Sequence, residues 1–444
     1  MVAFGLRLVA SLAVSAGVAF AAPPSARLLV DRAQGVLPSK DPWYAVPDGL
    51  DAVKPGTILK HRTPPKPIAA FGLLPVNLEA AYQIQYRTTD SLGNATATAL
   101  TVMVPHSADY TKVLSYQVAE DSATIDCAPS YAFQFDHAKG PDMGTMVTEA
   151  ELILVEAALE QGWVVIAPDF LGHDGAFLAN ALAGHATLDG IRAAINSNSF
   201  TGISTNPTVT MWGYSGGSLA SLWAAELQPT YAPELKIAGA AVGGTVPNIT
   251  TVVTSINGKG SAGLIPTGVV GLMNQYPELV PVVEQHLLPQ YRDEFFKVRG
   301  QCLAANSKQF ENKDIVGIGA NHRGERAGDN WDAADPLFIY KSVNDEISPI
   351  SETDALVDKW CADGTRIEYQ RDKESDHEKL AILAAPKALS WLIDTMNGRN
   401  RNTECVTRTV FSSLLDPAAI GVLPKILIDA LLDLLGKPVG PLIG

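Results

Sequence analysis

The chain has 444 residues, with 47 acidic against 33 basic side chains and a formal charge of −14. That balance, without any cluster of Lys and Arg, argues against nucleic acid as a partner. The length is enough for one large domain or two modest ones around a sizeable core.

The first residues carry one basic side chain, Arg7, followed by an uncharged apolar stretch from Leu8 to Ala22 that contains Ala19-Phe20-Ala21. This is the pattern of a secretory signal peptide, residues 1–21, cut after Ala21. The stretch is shorter than the ~18–20 apolar residues that cross a bilayer, so no transmembrane anchor is expected and the protein should be extracellular. Pro23 to Pro67, rich in Pro and Lys, reads as an extended arm.

Strand-like alternation follows over 80–87, 97–104 and 112–118. Met146 to Gly162 has helical periodicity, and the run Trp163–Pro168 is a buried strand. A helix over 178–195, a strand over 208–213, a helix over 216–228 and a strand over 236–242 come next. Strands alternating with helices imply an α/β fold, a doubly wound and mainly parallel sheet covered on both faces. The alternation breaks between Gly244 and Asn330, where short helical pieces predict a helical cap, residues 244–330, inserted into the sheet domain. Sheet character resumes with strands at 336–343 and 366–370 and helices at 351–361 and 378–396, so residues 22–243 and 331–405 form the two parts of one domain.

Gly213-Tyr214-Ser215-Gly216-Gly217 lies between the strand over 208–213 and a helix. A serine lifted into view on a strained strand-to-helix turn needs neighbours without side chains, here Gly213 and Gly217. The N–H groups of the helix that follows point to where an oxyanion would form. With Ser215 as nucleophile, an acid and then a histidine should follow in the chain. Of His286, His322 and His377, only His377 sits in a loop between the last strand and the last helix of the domain. Such loops at the C-terminal edge of a parallel sheet gather ligands and catalytic groups. Asp345, directly after the strand ending at Val343, is the candidate acid, with Glu346 its rival and Asp376 too close in sequence to His377 to align with its ring.

Four cysteines, Cys127, Cys302, Cys361 and Cys405, have no metal-ligand spacing and suggest two disulfides in a secreted chain. Three pairings are possible. Cys127 with Cys302 and Cys361 with Cys405 is favoured, the second closing a loop around the last domain helix. Asn94-Ala95-Thr96 and Asn248-Ile249-Thr250 are acceptors for N-glycans in a eukaryotic host.

Several segments together resemble the secreted fungal lipases of the lipase A type: Ser115–Ser122, Cys127–Tyr131, Pro168–Gly172, the serine elbow, Asn344–Ile347 and the histidine loop. The resemblance spans nearly the whole mature chain. It implies an α/β-hydrolase fold with a helical lid, a triad of Ser215, Asp345 and His377, and an oxyanion hole at Asp121 and Gly216. The family's disulfide pattern is the pairing favoured above. It further implies a monomeric hydrolase of lipid esters at an oil–water interface, with no metal or organic cofactor. A carboxylesterase or acyltransferase with the same triad is the alternative, and a non-catalytic lipid-binding protein the remote one. Residues 406–444 are read as an apolar C-terminal flap, in which Lys425, Asp429, Asp433 and Lys437 would form one polar stripe on a helix packed over the site's mouth.

Overall fold

The computed structural model describes residues 36–136, 146–318, 336–400, 404–434 and 436–441. The expected signal peptide, residues 1–21, and His322 lie outside the described residues. Ten strands form one sheet: β1 (Ile58–Arg62), β2 (Ala80–Thr89), β3 (Ala95–Val104), β4 (Asp109–Gln117), β5 (Trp163–Pro168), β6 (Thr208–Tyr214), β7 (Ile237–Gly243), β8 (Leu337–Ser342), β9 (Ile367–Asp372) and β10 (Val406–Val410). Their order across the sheet is β1-β2-β3-β5-β4-β6-β7-β8-β9-β10. The strands from β5 to β10 pair in parallel, and β1, β2 and β3 add an antiparallel edge.

Alternation along each strand feeds two cores. In β8, Leu337 and Ile339 enter one core, together with Leu188 and Ile191, Leu222, and Val357 and Trp360. These belong to helices α1 (Asn180–Asn196), α2 (Gly216–Tyr231) and α3 (Ile350–Ala362). Phe338 and Tyr340 point the other way, into a core shared with Leu152, Val155, Leu389 and Leu392. Those come from the helices Met146–Leu159 and Ala385–Met396. Because both faces are covered, the central strands read as apolar runs rather than half-polar ones.

Between β7 and β8 the described residues contain helices and no strand, including Ile249–Ile256, Leu264–Gln275, Leu279–His286 and Leu303–Phe310. They bury a core of their own around Val252, Ile256, Ile265, Val270 and Phe310, which also takes in Ala123 and Ile347 from the sheet domain's loops. A disulfide joins Cys127 to Cys302 and so links the loop after β4 to this helical segment, with Cα atoms 5.7 Å apart. The second joins Cys361 at the end of α3 to Cys405 just before β10, with Cα atoms 5.8 Å apart.

Several expectations need correction. Ile58–Arg62, read as part of the extended arm, is an edge strand, and so is Val406–Val410, read as part of the flap. Both are short and largely polar, so they lack the apolar run that marked the central strands. The rest of the flap packs on the helices that cover the sheet. The helix Pro417–Leu434 lies along the helices Ala385–Met396 and Met146–Leu159, and the tail beyond it bonds to the body. Val439 exchanges backbone hydrogen bonds with Asn77 and His106, and Gly440 N donates to Glu160 Oε1 at 2.9 Å. Part of its polar stripe is buried: Asp429 and Asp433 are inside and Lys437 Nζ is 2.8 Å from Glu160 Oε1, while Lys425 is exposed. Asn248 is a further departure: its side chain is buried and serves as an N-cap, Oδ1 accepting from Thr250 N and Nδ2 donating to Glu352. The amide that would carry a glycan is thus buried and already engaged, whereas Asn94 is exposed in the β2–β3 turn. No described helix is long and apolar enough to cross a membrane.

Candidate active site

The C-terminal edge of the parallel strands gathers the predicted residues. Ser215 follows the last residue of β6 with φ 51° and ψ −118°, a left-handed conformation that L side chains rarely adopt. Its N–H donates to Gly243 O, which ties the turn to the end of β7. The three glycines are required by close approach. A Cβ on Gly213 would stand 2.2 Å from Gly217 O, one on Gly217 would stand 1.9 Å from Gln117 O, and one on Gly216 would stand 1.9 Å from the Asp121 carboxyl. Gly216 is the first residue of α2, so its N–H has no partner within the helix.

His377 opens the helix Leu383 ends, straight after the loop that leaves β9. Its Nε2 lies 2.9 Å from Ser215 Oγ, and its Nδ1 lies 2.7 Å from Asp345 Oδ2. Asp345 lies three residues beyond β8, and its Oδ1 accepts the N–H groups of Ile347 and Ser348 at 3.0 and 2.8 Å. Burial pushes the Asp345 carboxyl up, but His377 and Lys341 override it and hold the group well below the usual carboxylate range. Serine, imidazole and carboxylate therefore stand in one hydrogen-bonded line, able to move a proton from Ser215 Oγ onto the ring.

The rival acids have other partners. Glu346 Oε2 accepts the backbone N–H of His377 at 2.9 Å, and Asp376 caps the helix by accepting from Lys379 N. The His377 carbonyl accepts from Tyr214 OH. His286 lies away from this line, with its ring on Val282 O. Among the described residues no group of three His, Cys, Asp or Glu side chains is placed to hold a metal ion.

Asp121 lies in the loop after β4 with φ 41°, its side chain set against Gly216. Burial pushes its carboxyl up to about 7, and Oδ1 has no hydrogen-bond partner. Glu151 steadies this loop by accepting from Ala119 N at 2.9 Å and from Tyr116 OH at 2.8 Å. Sequence reasoning missed Glu151, Tyr214 and Lys341. Only Lys341 left a signal, as the one charge in an otherwise apolar strand, Leu337-Phe338-Ile339-Tyr340-Lys341.

Comparisons with known proteins point to one family. The family model described as secretory lipase matches residues 138–329 and 333–403. The chain is 48% identical over 418 residues to lipase A of Arthroderma benhamiae, covering 91% of this chain and 89% of that protein. It is 36% identical over 406 residues to lipase 5 of Candida albicans, covering 86% and 85%. The crystal structure of Candida antarctica lipase A superimposes with a TM-score of 0.77 at 27% identity, covering 92% of this chain and 99% of that one.

Proposed function

Since the chain belongs to the secretory lipase family, we propose that it is a secreted serine lipase that hydrolyses triacylglycerol esters through Ser215, His377 and Asp345. The observation that carries this reading is the continuous hydrogen-bonded line from Ser215 Oγ through His377 to Asp345 at the edge of the sheet.

In this reading Ser215 Oγ attacks the ester carbonyl while His377 Nε2 takes its proton. Asp345 holds the ring with Nδ1–H toward the carboxylate and stabilises the imidazolium. The backbone N–H groups of Asp121 and Gly216 receive the oxyanion, aided by the N-terminal end of α2. His377 then returns the proton to the departing alcohol, and water enters to release the fatty acid from the acyl-enzyme. The helical segment between β7 and β8 acts as the cap over this site. Its core shares Ala123 and Ile347, neighbours in sequence of Asp121 and Asp345, so cap and catalytic loops are packed together.

The test compares the parent with Ser215→Ala on a soluble short-chain ester and on an emulsified long-chain triglyceride. Hydrolysis of the emulsion that disappears in the variant is the expected outcome. Hydrolysis confined to the soluble ester would make the protein a carboxylesterase with the same triad. Equal rates in parent and variant would refute the assignment of Ser215.

A further inference from the structure

β8 carries one charge, Lys341, where packing calls for none. Its neighbours on the same face, Leu337 and Ile339, belong to an apolar core. The Lys341 side chain is fully buried, with Nζ 2.8 Å from Asp345 Oδ2. The same ammonium donates to Thr245 O at 2.8 Å. A buried ammonium is costly unless it is paired, and an apolar side chain of similar length would fill the space without that cost.

The pairing leaves the Asp345 carboxylate no freedom to turn. Oδ1 is held by two backbone N–H groups, while Oδ2 is shared between His377 Nδ1 and Lys341 Nζ. We propose that Lys341 is a positioning residue of the hydrolytic site, clamping Asp345 as an aimed anion behind His377. The inference rests on the reading of Asp345 as the acid of the triad. The polar partners of Lys341 are Asp345 and Thr245, so its effect on His377 passes through the carboxylate. Its bond to Thr245 O also fastens the acid loop to the start of the segment that leaves β7, beside the Gly243 carbonyl that holds Ser215 N. Burial lowers the proton affinity of Lys341, while Asp345 and then Glu346 raise it, so the ammonium depends on the carboxylate as the carboxylate depends on it.

The experiment is a double-mutant cycle on the full chain, with Lys341→Met, Asp345→Asn and the combination, using a soluble ester and rates normalised to folded protein. Met keeps the stem of the lysine and removes its charge. Lys341→Met should lower kcat by about 10- to 100-fold, a fraction of what loss of a triad acid costs, and leave KM within about twofold. In the Asp345→Asn background the same change should alter kcat by less than about twofold, because the clamp has nothing left to hold. Equal factors in both backgrounds, or a rise in KM at constant kcat, would overturn the proposal and leave Lys341 a structural residue. An Asp345→Asn variant as active as the parent would instead refute the triad reading. If Lys341→Met does not fold, nitrogen NMR of the unmutated protein labelled at its lysines decides. A Lys341 ammonium that persists from about pH 5 to about pH 8 supports the clamp, and a neutral amine in that range overturns it.

Discussion

At the scale of single residues, the elbow shows how little room the proposed chemistry leaves. The Gly216 Cα faces the Asp121 carboxyl, and the Gly217 Cα faces the backbone carbonyl of Gln117. These two contacts differ in what can yield. A carbonyl inside the sheet cannot move, so Gly217→Ala should fail to accumulate as folded protein. The Asp121 side chain can swing aside at a cost, so Gly216→Ala should fold while its kcat drops by about 100-fold, the usual cost of disturbing an oxyanion donor. Adding Asp121→Gly to Gly216→Ala removes the overlapping carboxyl, keeps the backbone N–H and suits the positive φ at that position. Rates on a soluble ester should then recover substantially. An unchanged kcat in Gly216→Ala alone would show that the Asp121–Gly216 contact does not shape the site. Ser215, Asp345 and His377 were legible because the elbow fixes its own spacing and chain order restricts its partners. Glu151 was not, since a charge on a helix reads as a solvated one, and Lys341 showed only as a charge out of place in an apolar strand, whose meaning lies in what it meets across the fold.

Elements were legible where burial imposes a pattern and obscure where it does not. The central strands stand out as apolar runs, while β1, half-buried, and β10, largely exposed, on the sheet's edges do not. The helix expected over 378–396 is two, His377–Leu383 and Ala385–Met396, because Pro386 begins a new helix where it cannot continue the old one. The sequon at Asn248 misled for a related reason: the residue types that accept a glycan also cap helices. Asn248 caps the helix Ile249–Ile256 and bonds Glu352 on α3, tying the first cap helix to the sheet domain. Glycopeptide analysis of protein from a eukaryotic host should therefore find carbohydrate at Asn94 and none at Asn248. Asn248→Ala should lower stability by about 1 kcal/mol through the lost cap, measured by denaturant titration. A glycan at Asn248 would mean that this end of the cap opens before it docks.

Across the whole molecule, a shared charge arrangement couples stability to pH. Where the C-terminal segment meets the helix Met146–Leu159, Glu160, Asp429 and Asp433 face Lys425 and Lys437, and Glu156 lies beside Glu160 and Asp433. Two ammonium groups cannot balance four carboxyls. Burial, with Asp433 and Glu160 nearby, pushes Glu156 up to about 8, and burial with Glu160 nearby pushes Asp433 up as well. Around the catalytic loops burial pushes Asp121 and Asp169 up to about 7 and Glu151 up to about 8. In the unfolded chain such carboxyls ionise near pH ~4, so folding takes up protons between there and pH ~8. Their contribution to stability is complete below about pH 4 and is lost as the pH rises through about 7 to 8. Asp345 works in the opposite sense, but its carboxyl is held so low that its share disappears only in strong acid. The melting temperature should therefore fall steadily from about pH 5 to about pH 8.5. Glu156 has no hydrogen-bond partner on either oxygen, so Glu156→Gln removes a titrating group without breaking a bond. That variant should match the parent near pH 5, melt higher than the parent near pH 8, and show a shallower slope between the two. A slope unchanged by Glu156→Gln would mean that the carboxyl is already ionised in the folded protein, and that the C-terminal helix stays docked over a charge it does not need to neutralise.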